Sequence, residues 1–446
     1  MKLRNFGALL VALVVAALPV YAQEQSGAVE GVVSDATGAV VPGVTVEARS
    51  TSGAVVSTTS DTNGRYNFPV LPPGNYTVAA NLTGFTSVKV PDIRLSLGQT
   101  LRVDVTLRVS TVQEEVTVTG ESPIVDVGGT ARSTSIRDEF IDNLPKGRDF
   151  TTLATQAPGA NIEFKSGGLS IDGASSSENK YVIDGIETND PQTGLSSQQL
   201  VTDMVDEVQV KSSGYEAEYS GAVGGVVNVV TKTGTNDFKG SVWSYFSSDS
   251  LGFARSPAFG AGTNQAPAYT DGRQSLRLTP TNALASEYVT YADDDVTQIE
   301  PGFAVGGPLK KDKIWFFASY NPTLRTIDRS AVLTRDGSTL SGTEKRHTHF
   351  GSANISAQAT DAMRLRFAFN TNKQTIDGLL PAAAGNDVPG TPLDLKQSLP
   401  NWSGSANMDY VVSPKFYLSA KAGYFLQDFS TSNNFQGDRF VYQSSN

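Results

Sequence analysis

Side chains able to do chemistry are few and poorly placed for it. The chain of 446 residues has no cysteine and two histidines, His347 and His349. A Ser-His-Asp hydrolase or a zinc centre would have to be built on those two, and a spacing of two along a strand puts both on one face. They read as ordinary residues of a polar lumen. Asp293-Asp294-Asp295 lacks the spaced oxygen ligands and the glycine of a calcium loop, so it reads as a solvated acidic run. The stretch Gly221 to Gly225 lacks the Lys-Ser or Lys-Thr ending of a phosphate-binding loop. No catalytic residue, metal ligand or cofactor is assigned, no ligand-binding residue is identified, and the protein is not read as an enzyme. What remains is mechanical. Glu114, Glu115, Val116, Thr117, Val118 and Thr119, followed by Gly120, alternate polar and β-branched residues. Such an extended segment can add to the edge of a partner's sheet through backbone hydrogen bonds. By pattern alone it is also read as the last strand of the preceding domain or the first of the next.

The elements that would position such a segment are mainly β. Charged residues make up 18% of the chain, below the roughly 25% usual for soluble domains. Glycine reaches 42 residues, and Ser, Thr and Asn with Val, Tyr and Phe suit short strands joined by polar turns. Lys2 and Arg4, the apolar run Phe6 to Leu18 and the small-residue ending Val20-Tyr21-Ala22 read as a signal peptide over 1–22. That run falls short of the roughly 20 apolar residues a membrane-spanning helix needs. No later segment is long and apolar enough either, but an exported chain can also cross a membrane as a closed barrel. A net charge of −10, from 45 acidic and 35 basic residues, argues against a nucleic-acid partner.

Residues 23–110 read as a compact β-sandwich of the Ig/transthyretin-like kind. Ala28 to Val33, Val44 to Ala48, Arg65 to Phe68, Asn75 to Ala79 and Leu101 to Leu107 are strand-like, with Asp61-Thr62-Asn63-Gly64 and Leu71-Pro72-Pro73-Gly74 as turns between them. Gly31-Val32-Val33-Ser34-Asp35, Pro42-Gly43-Val44, Asp61 to Tyr66 and Leu71 to Tyr76 resemble the carboxypeptidase-regulatory-like domain. With no histidine in this segment, a zinc carboxypeptidase is rejected and the module reads as structural or docking.

Residues 121–235 read as a mixed α/β unit. Ile136, Phe140, Ile141 and Leu144 recur at helical spacing, as do Leu200, Val201, Met204 and Val205. Strands are expected at Leu169 to Asp172, Tyr181 to Ile186, Glu207 to Lys211 and Val226 to Thr231. Tyr181-Val182-Ile183-Asp184-Gly185, Val205 to Val210, Gly214 to Gly221 and Gly224 to Gly234 resemble, in order and spacing, the plug domain of TonB-dependent outer-membrane receptors. Gly234-Thr235-Asn236 with Phe238 and Gly240 resembles the Oar-like subgroup, which carries an N-terminal sandwich. Residues 111–120 then form a linker whose strand resembles a TonB box.

From 236 to 446 the pattern resembles the first strands of an incomplete transmembrane antiparallel β-barrel. Met363, Leu365, Phe367 and Phe369 alternate with Arg364, Arg366, Ala368 and Asn370, giving one side to lipid and one to water. Strands are expected at 238–248, 299–309, 313–327, 346–358, 362–374, 401–412 and 415–429. Short turns at Lys310-Lys311-Asp312, Ala359-Thr360-Asp361 and Ser413-Pro414 would be periplasmic; 249–298 and 375–400 would be long external loops. Trp315, Phe316, Tyr320, Tyr410, Phe416, Tyr417 and Tyr424 are candidates for interfacial girdles.

The resemblance implies a receptor in the outer membrane of a Gram-negative-type bacterium, with its N-terminal domain in the periplasm. Its function would be energised uptake of a large or scarce ligand. Its partners would be the periplasmic C-terminal domain of TonB with the inner-membrane energising complex, outer-membrane lipid and an unidentified extracellular ligand. The alternative is a surface adhesion or secretion-assisting protein on the same scaffold.

Overall fold

The computed structural model describes residues 26–433 except 110–114, 118–131, 142–146, 164–166, 216, 252–272, 280–281, 292–293, 334–335, 383–384, 386, 388–389, 391 and 414–415. The signal peptide expected over 1–22 lies outside the described residues, as do Glu114, Val118, Thr119, Leu144 and Pro414.

Two sheets packed face to face form the first unit. The strands are β1 (Gly27–Asp35), β2 (Thr45–Ser50), β3 (Val55–Thr59), β4 (Arg65–Leu71), β5 (Gly74–Asn81), β6 (Ser87–Leu95), β7 (Thr100–Arg102), β8 (Val105–Leu107) and β9 (Glu115–Thr117). One sheet runs β4-β1-β7 with β8 also on β1; the other runs β3-β2-β5-β6-β9. Alternation puts Val29 and Val33 of β1 and Phe68 of β4 against Val46, Val78 and Ile93 of the facing sheet, all buried in one cluster. Each such aliphatic contributes about 1.5–3 kcal/mol by leaving water. The sequence reading placed five strands here and missed β3 and β6. β6 is irregular in the middle, where Pro91 removes a donor and Asp92 takes a positive φ of 57°. Leu101 to Leu107, expected as one strand, is two, because it breaks around Asp104, whose carboxylate accepts from the Val32 amide at 2.9 Å.

The second unit contains β10 (Arg132–Arg137), α1 (Asp138–Ile141), α2 (Phe150–Ala154), β11 (Ala160–Ile162), β12 (Leu169–Ile171), β13 (Lys180–Ile183), β14 (Ile186–Glu187), β15 (Val205–Ser213) and β16 (Val226–Thr231). Its main sheet runs β10-β15-β16-β13-β14, with β13 and β16 parallel and Phe150, Leu153, Tyr181, Val208 and Val229 in its core. The two helices expected from apolar spacing are largely corrected. Ile136 lies in β10, paired with Val208, and α1 is a single four-residue turn. Thr202–Met204 is one 3-10 turn leading directly into β15. Ile136 and Ile141 of the first set and Leu200 and Val205 of the second are buried in the core of this unit, Val201 and Met204 pack with Phe350, and Phe140 is exposed, so tertiary pairing overrides the local period. The longer helix, α2, was not anticipated; Asp149 caps it by accepting from the Thr151 amide at 3.1 Å.

The third unit is a sheet of long antiparallel strands: β17 (Lys239–Ser248), β20 (Asp295–Lys310), β21 (Ile314–Val332), β22 (Thr339–Thr360), β23 (Met363–Asp377), β24 (Leu395–Ser413), β25 (Phe416–Gln427) and the short β26 (Ser430–Asn433), which pairs with β24. A separate hairpin, β18 (Arg273–Thr279) with β19 (Asn282–Tyr291), stands in the long connection after β17. The long connection expected over 249–298 thus spans 249–294 and contains a hairpin. Two of the short turns, 311–313 and 361–362, lie within two residues of where the sequence placed them, and the third, at Ser413-Pro414, runs outside the described residues. The strands extend further at the opposite end, so the second long connection shrinks to 378–394.

Side-chain direction in this sheet obeys the period of two. On β23, Ala368, Asn370 and Asn372 are buried while Phe367 and Phe369 are exposed. On β24, Asn401, Ser403, Ser405 and Asn407 are buried on the inner face. Trp402, Ala406, Met408 and Tyr410 occupy the alternate positions. On these two strands the inner face is therefore mostly polar and covered, while the outer face carries a bare apolar band over Met363 to Phe369 and Trp402 to Tyr410, the reverse of a soluble protein and the arrangement of a barrel wall. Two expectations are corrected by the same register. His347 and His349 lie on the outer face, not the lumen side, alternating with buried Thr348 and Phe350; His349 Nδ1 is 2.6 Å from the Tyr320 hydroxyl. Trp315, expected in an outer girdle, is buried on the inner face and donates to Asn236 at 2.8 Å. Asp294 is not a solvated residue: it is buried and holds Arg329 through two contacts of 2.7 and 2.8 Å.

Candidate functional site

The polar inner face of the wall is filled by the second unit, and the contact between them is a set of moorings. The first is built on Asp184, at the end of β13, where the chain turns with a positive φ of 47°. Its carboxylate is buried and accepts four hydrogen bonds. The Thr231 amide (3.1 Å) and hydroxyl (2.7 Å) donate from β16. Arg366 (2.7 Å) and Asn370 (2.8 Å) donate from β23 of the wall. Asn354 of β22 completes the network by donating to the Thr231 hydroxyl at 2.7 Å and the Lys232 carbonyl at 2.9 Å. Charge-assisted bonds of this kind are stronger than neutral ones and fix geometry. Sequence reading had Asp184 as a turn residue and Arg366 as a lumen residue; their meeting across 182 positions carries no local signal.

A second mooring is centred on Arg148, just before α2. Its guanidinium contacts Asp203 at 2.7 Å within the same unit and Glu300 of β20 at 3.0 Å. It donates to Asn321 of β21 at 3.0 Å and lies 3.8 Å from the centre of the Tyr245 ring of β17. None of these residues was singled out by motif. A third contact lies toward the end of the wall away from the short turns. Asn401 donates to the Ser197 carbonyl at 2.9 Å, and Gln427 accepts from the Ser197 hydroxyl (2.8 Å) and donates to Asp190 (3.0 Å). Below it, Ile186 of β14 packs so closely on Gly423 of β25 that a methyl group there would overlap it. The interface is otherwise rich in small amides and hydroxyls of the inner face, a composition that can be exchanged for water at lower cost than an apolar core.

The sandwich joins the second unit through the turn that follows β6. Glu207 of β15 accepts from the Leu97 amide at 3.3 Å, and Gln209 donates to the Leu97 carbonyl at 2.6 Å. Arg137 of β10 donates to the Ser96 hydroxyl. Desolvation holds the Glu207 carboxyl above its ordinary value, opposed by Ser135 and Arg137. Asp206 beside it is pushed up to about 7, first by desolvation and then by Asp138 and Glu207, with Lys232 and Arg366 opposing. A carboxyl raised in the fold holds its proton more tightly there than in the unfolded chain. The resulting stabilisation is full below the ordinary carboxyl range and is lost as pH rises through the raised value. Melting temperature should therefore fall between pH 5 and 8, on the order of the Asp206 range, and the pair Asp206→Asn with Glu207→Gln should flatten the slope; an unchanged slope in that double variant would refute this assignment.

Of the six residues read as a coupling strand, Glu115, Val116 and Thr117 form β9, parallel to β6 in the register Ser87 with Glu115, Val88 with Val116 and Lys89 with Thr117. Among the two readings left open by pattern, that placement makes them the last strand of the sandwich sheet. Among the described residues, no group of three or more His, Cys, Asp or Glu side chains could hold a metal ion.

Comparison with known proteins agrees with this division. The carboxypeptidase regulatory-like domain matches residues 28–108, and the TonB-dependent receptor plug domain matches residues 127–226. The TonB-dependent transporter Oar of Myxococcus xanthus is 33% identical over 280 residues, covering 60% of this chain. The chain spans about a quarter of that relative, 24% of its length. The outer-membrane transporter YddB of Escherichia coli shares the fold, with a TM-score of 0.50 at 16% identity over 68% of this chain and 40% of YddB. The chain thus combines a carboxypeptidase regulatory-like domain with a TonB-dependent receptor plug domain and is a relative of the TonB-dependent transporter Oar.

Proposed function

We propose that this protein takes up a large or scarce ligand across the outer membrane, driven by TonB from the periplasmic side. The observation that carries this reading is the plug seated by buried polar contacts against the inner face of a wall whose outer face is apolar. A stopper held in this way blocks the passage at rest and can be dislodged without opening an apolar core. An outer membrane offers no nucleotide energy, so a mechanical pull on a strand is a suitable drive. In this scheme the sandwich stands in the periplasm, residues 23–110, 111–120, 121–235 and 236–446 are the working domains, and residues 114–119 are the coupling segment.

Deleting residues 114–120 is expected to abolish uptake while leaving ligand binding at the cell surface intact. Retained uptake in that deletion would contradict the scheme. An adhesion or secretion-assisting role on the same scaffold would show surface binding that is indifferent to collapse of the proton-motive force.

A further inference from the structure

The coupling strand is not loose: it is the terminal strand of the sheet β3-β2-β5-β6-β9. One of its edges is bonded to β6, and among the described residues no strand pairs with the other. An open edge is a template for a further strand. The strand that holds it, β6, ends at Leu95, and the next residues, Ser96 and Leu97, are those gripped by Arg137, Glu207 and Gln209 of the plug. Arg94, still on β6, also meets Glu139 of the plug at 3.1 Å. A single strand therefore carries the coupling segment on its edge and the plug joint at its end.

We propose that the sandwich sheet is the docking platform for the energy-coupling protein. That partner's edge strand adds to the free side of β9 while β9 stays on β6, and the load passes along β6 through Ser96 and Leu97 into β10 and β15. This rests on the coupling role given above to residues 114–119 and adds to it where the partner binds and which path the force takes. The rival arrangement is that β9 must peel from β6 before it is captured. The two differ in mechanics. A partner fixed to the free edge loads the three register pairs of β9 and β6 together, in shear, whereas peeling breaks them one after another. Only the first leaves the joint at Leu97 in line with the pull. In the second, the pull reaches β10 through residues 118–131 alone, and the sandwich is a bystander.

Because the chain has no cysteine, the two arrangements are separable by a clean cross-link. Val88 and Val116 are register partners, so the double variant Val88→Cys/Val116→Cys can be locked by oxidation and released by reductant. The probe is the purified periplasmic C-terminal domain of TonB, titrated against the full-length protein in detergent, with a melting curve to confirm that the oxidised form is folded. The expected result is an affinity within about threefold of the reduced form, a difference of roughly 0.6 kcal/mol. Loss of binding by tenfold or more on oxidation, restored by reductant, would overturn the proposal while leaving the coupling role of the segment standing. Equal binding by a variant lacking residues 114–120 would overturn both. A second readout addresses the force path. The pair Leu97→Gly and Gln209→Ala should leave TonB affinity within threefold and cut uptake by at least tenfold; unchanged uptake would show that the joint carries no load.

Discussion

Replacing Asp184 with alanine is expected to destabilise the plug by about 3–5 kcal/mol, because it strands the Arg366 guanidinium in a buried site without its anion. The carboxylate is the point at which β16 and the wall are tied together, accepting from Thr231 on one side and from Arg366 and Asn370 on the other. Removing Arg366 instead is expected to cost a similar amount, since Asp184 is then left buried with neutral donors only. The double variant should cost less than the sum of the two, by roughly 0.5–3 kcal/mol, because the residues act as one network. The measurement is a double-mutant cycle on unfolding in detergent, with dye permeability of the outer membrane as a functional companion. The single variants should leak, since a plug without its mooring blocks the passage less well. Additive losses would show that the contact does not hold the plug.

The second large effect lies on the opposite face of the same strand. Phe367 is exposed, with Leu365 and Phe369 on its side and the buried Ala368 on the other. If that side faces hydrocarbon, Phe367→Arg should cost about 2–4 kcal/mol in lipid vesicles. Phe367→Leu, which keeps the face apolar, should cost less than about 1.5 kcal/mol. In water an exposed phenylalanine exchanged for arginine would normally change little, so the size of the penalty reports the solvent. One position away, Arg366 is native on the inner face, where it donates to Asp184.

How much of this was legible in the sequence follows from how local each signal is. The wall was readable because alternation is a property of consecutive residues, and Met363 through Asn370 display it without reference to any other part of the chain. The turns expected at Lys310-Lys311-Asp312 and Ala359-Thr360-Asp361 were readable to within two residues for the same reason. The helices expected around Ile136 and Leu200 failed because apolar spacing does not state what buries a residue, and here Ile136, Ile141, Leu200 and Val205 are buried in the core around the β15 sheet while Val201 and Met204 pack with Phe350 of the wall. The moorings were invisible one residue at a time. Asp184 belongs to a turn dipeptide, Arg148 to no motif, and Glu300 to a strand end, and each gains meaning only from partners far along the chain. A buried face rich in Asn and Ser was the available hint: such side chains need polar company, and a plug supplies it. The inward turn of Trp315 and the outward turn of His347 and His349 show the remaining limit, since which side of an alternating strand is lumen must be fixed by a neighbour.

The most direct test of the account is a cysteine scan along β23, made possible by a chain that has none. Single cysteines from Met363 to Asn370, labelled with an environment-sensitive probe in the native outer membrane, should alternate with period two. Odd-numbered positions should be quenched from within the lipid, and even-numbered positions should be shielded until the plug is dislodged. Uniform access to a water-soluble quencher on both faces would mean that this sheet does not stand in a membrane around a plug, and the account would fall.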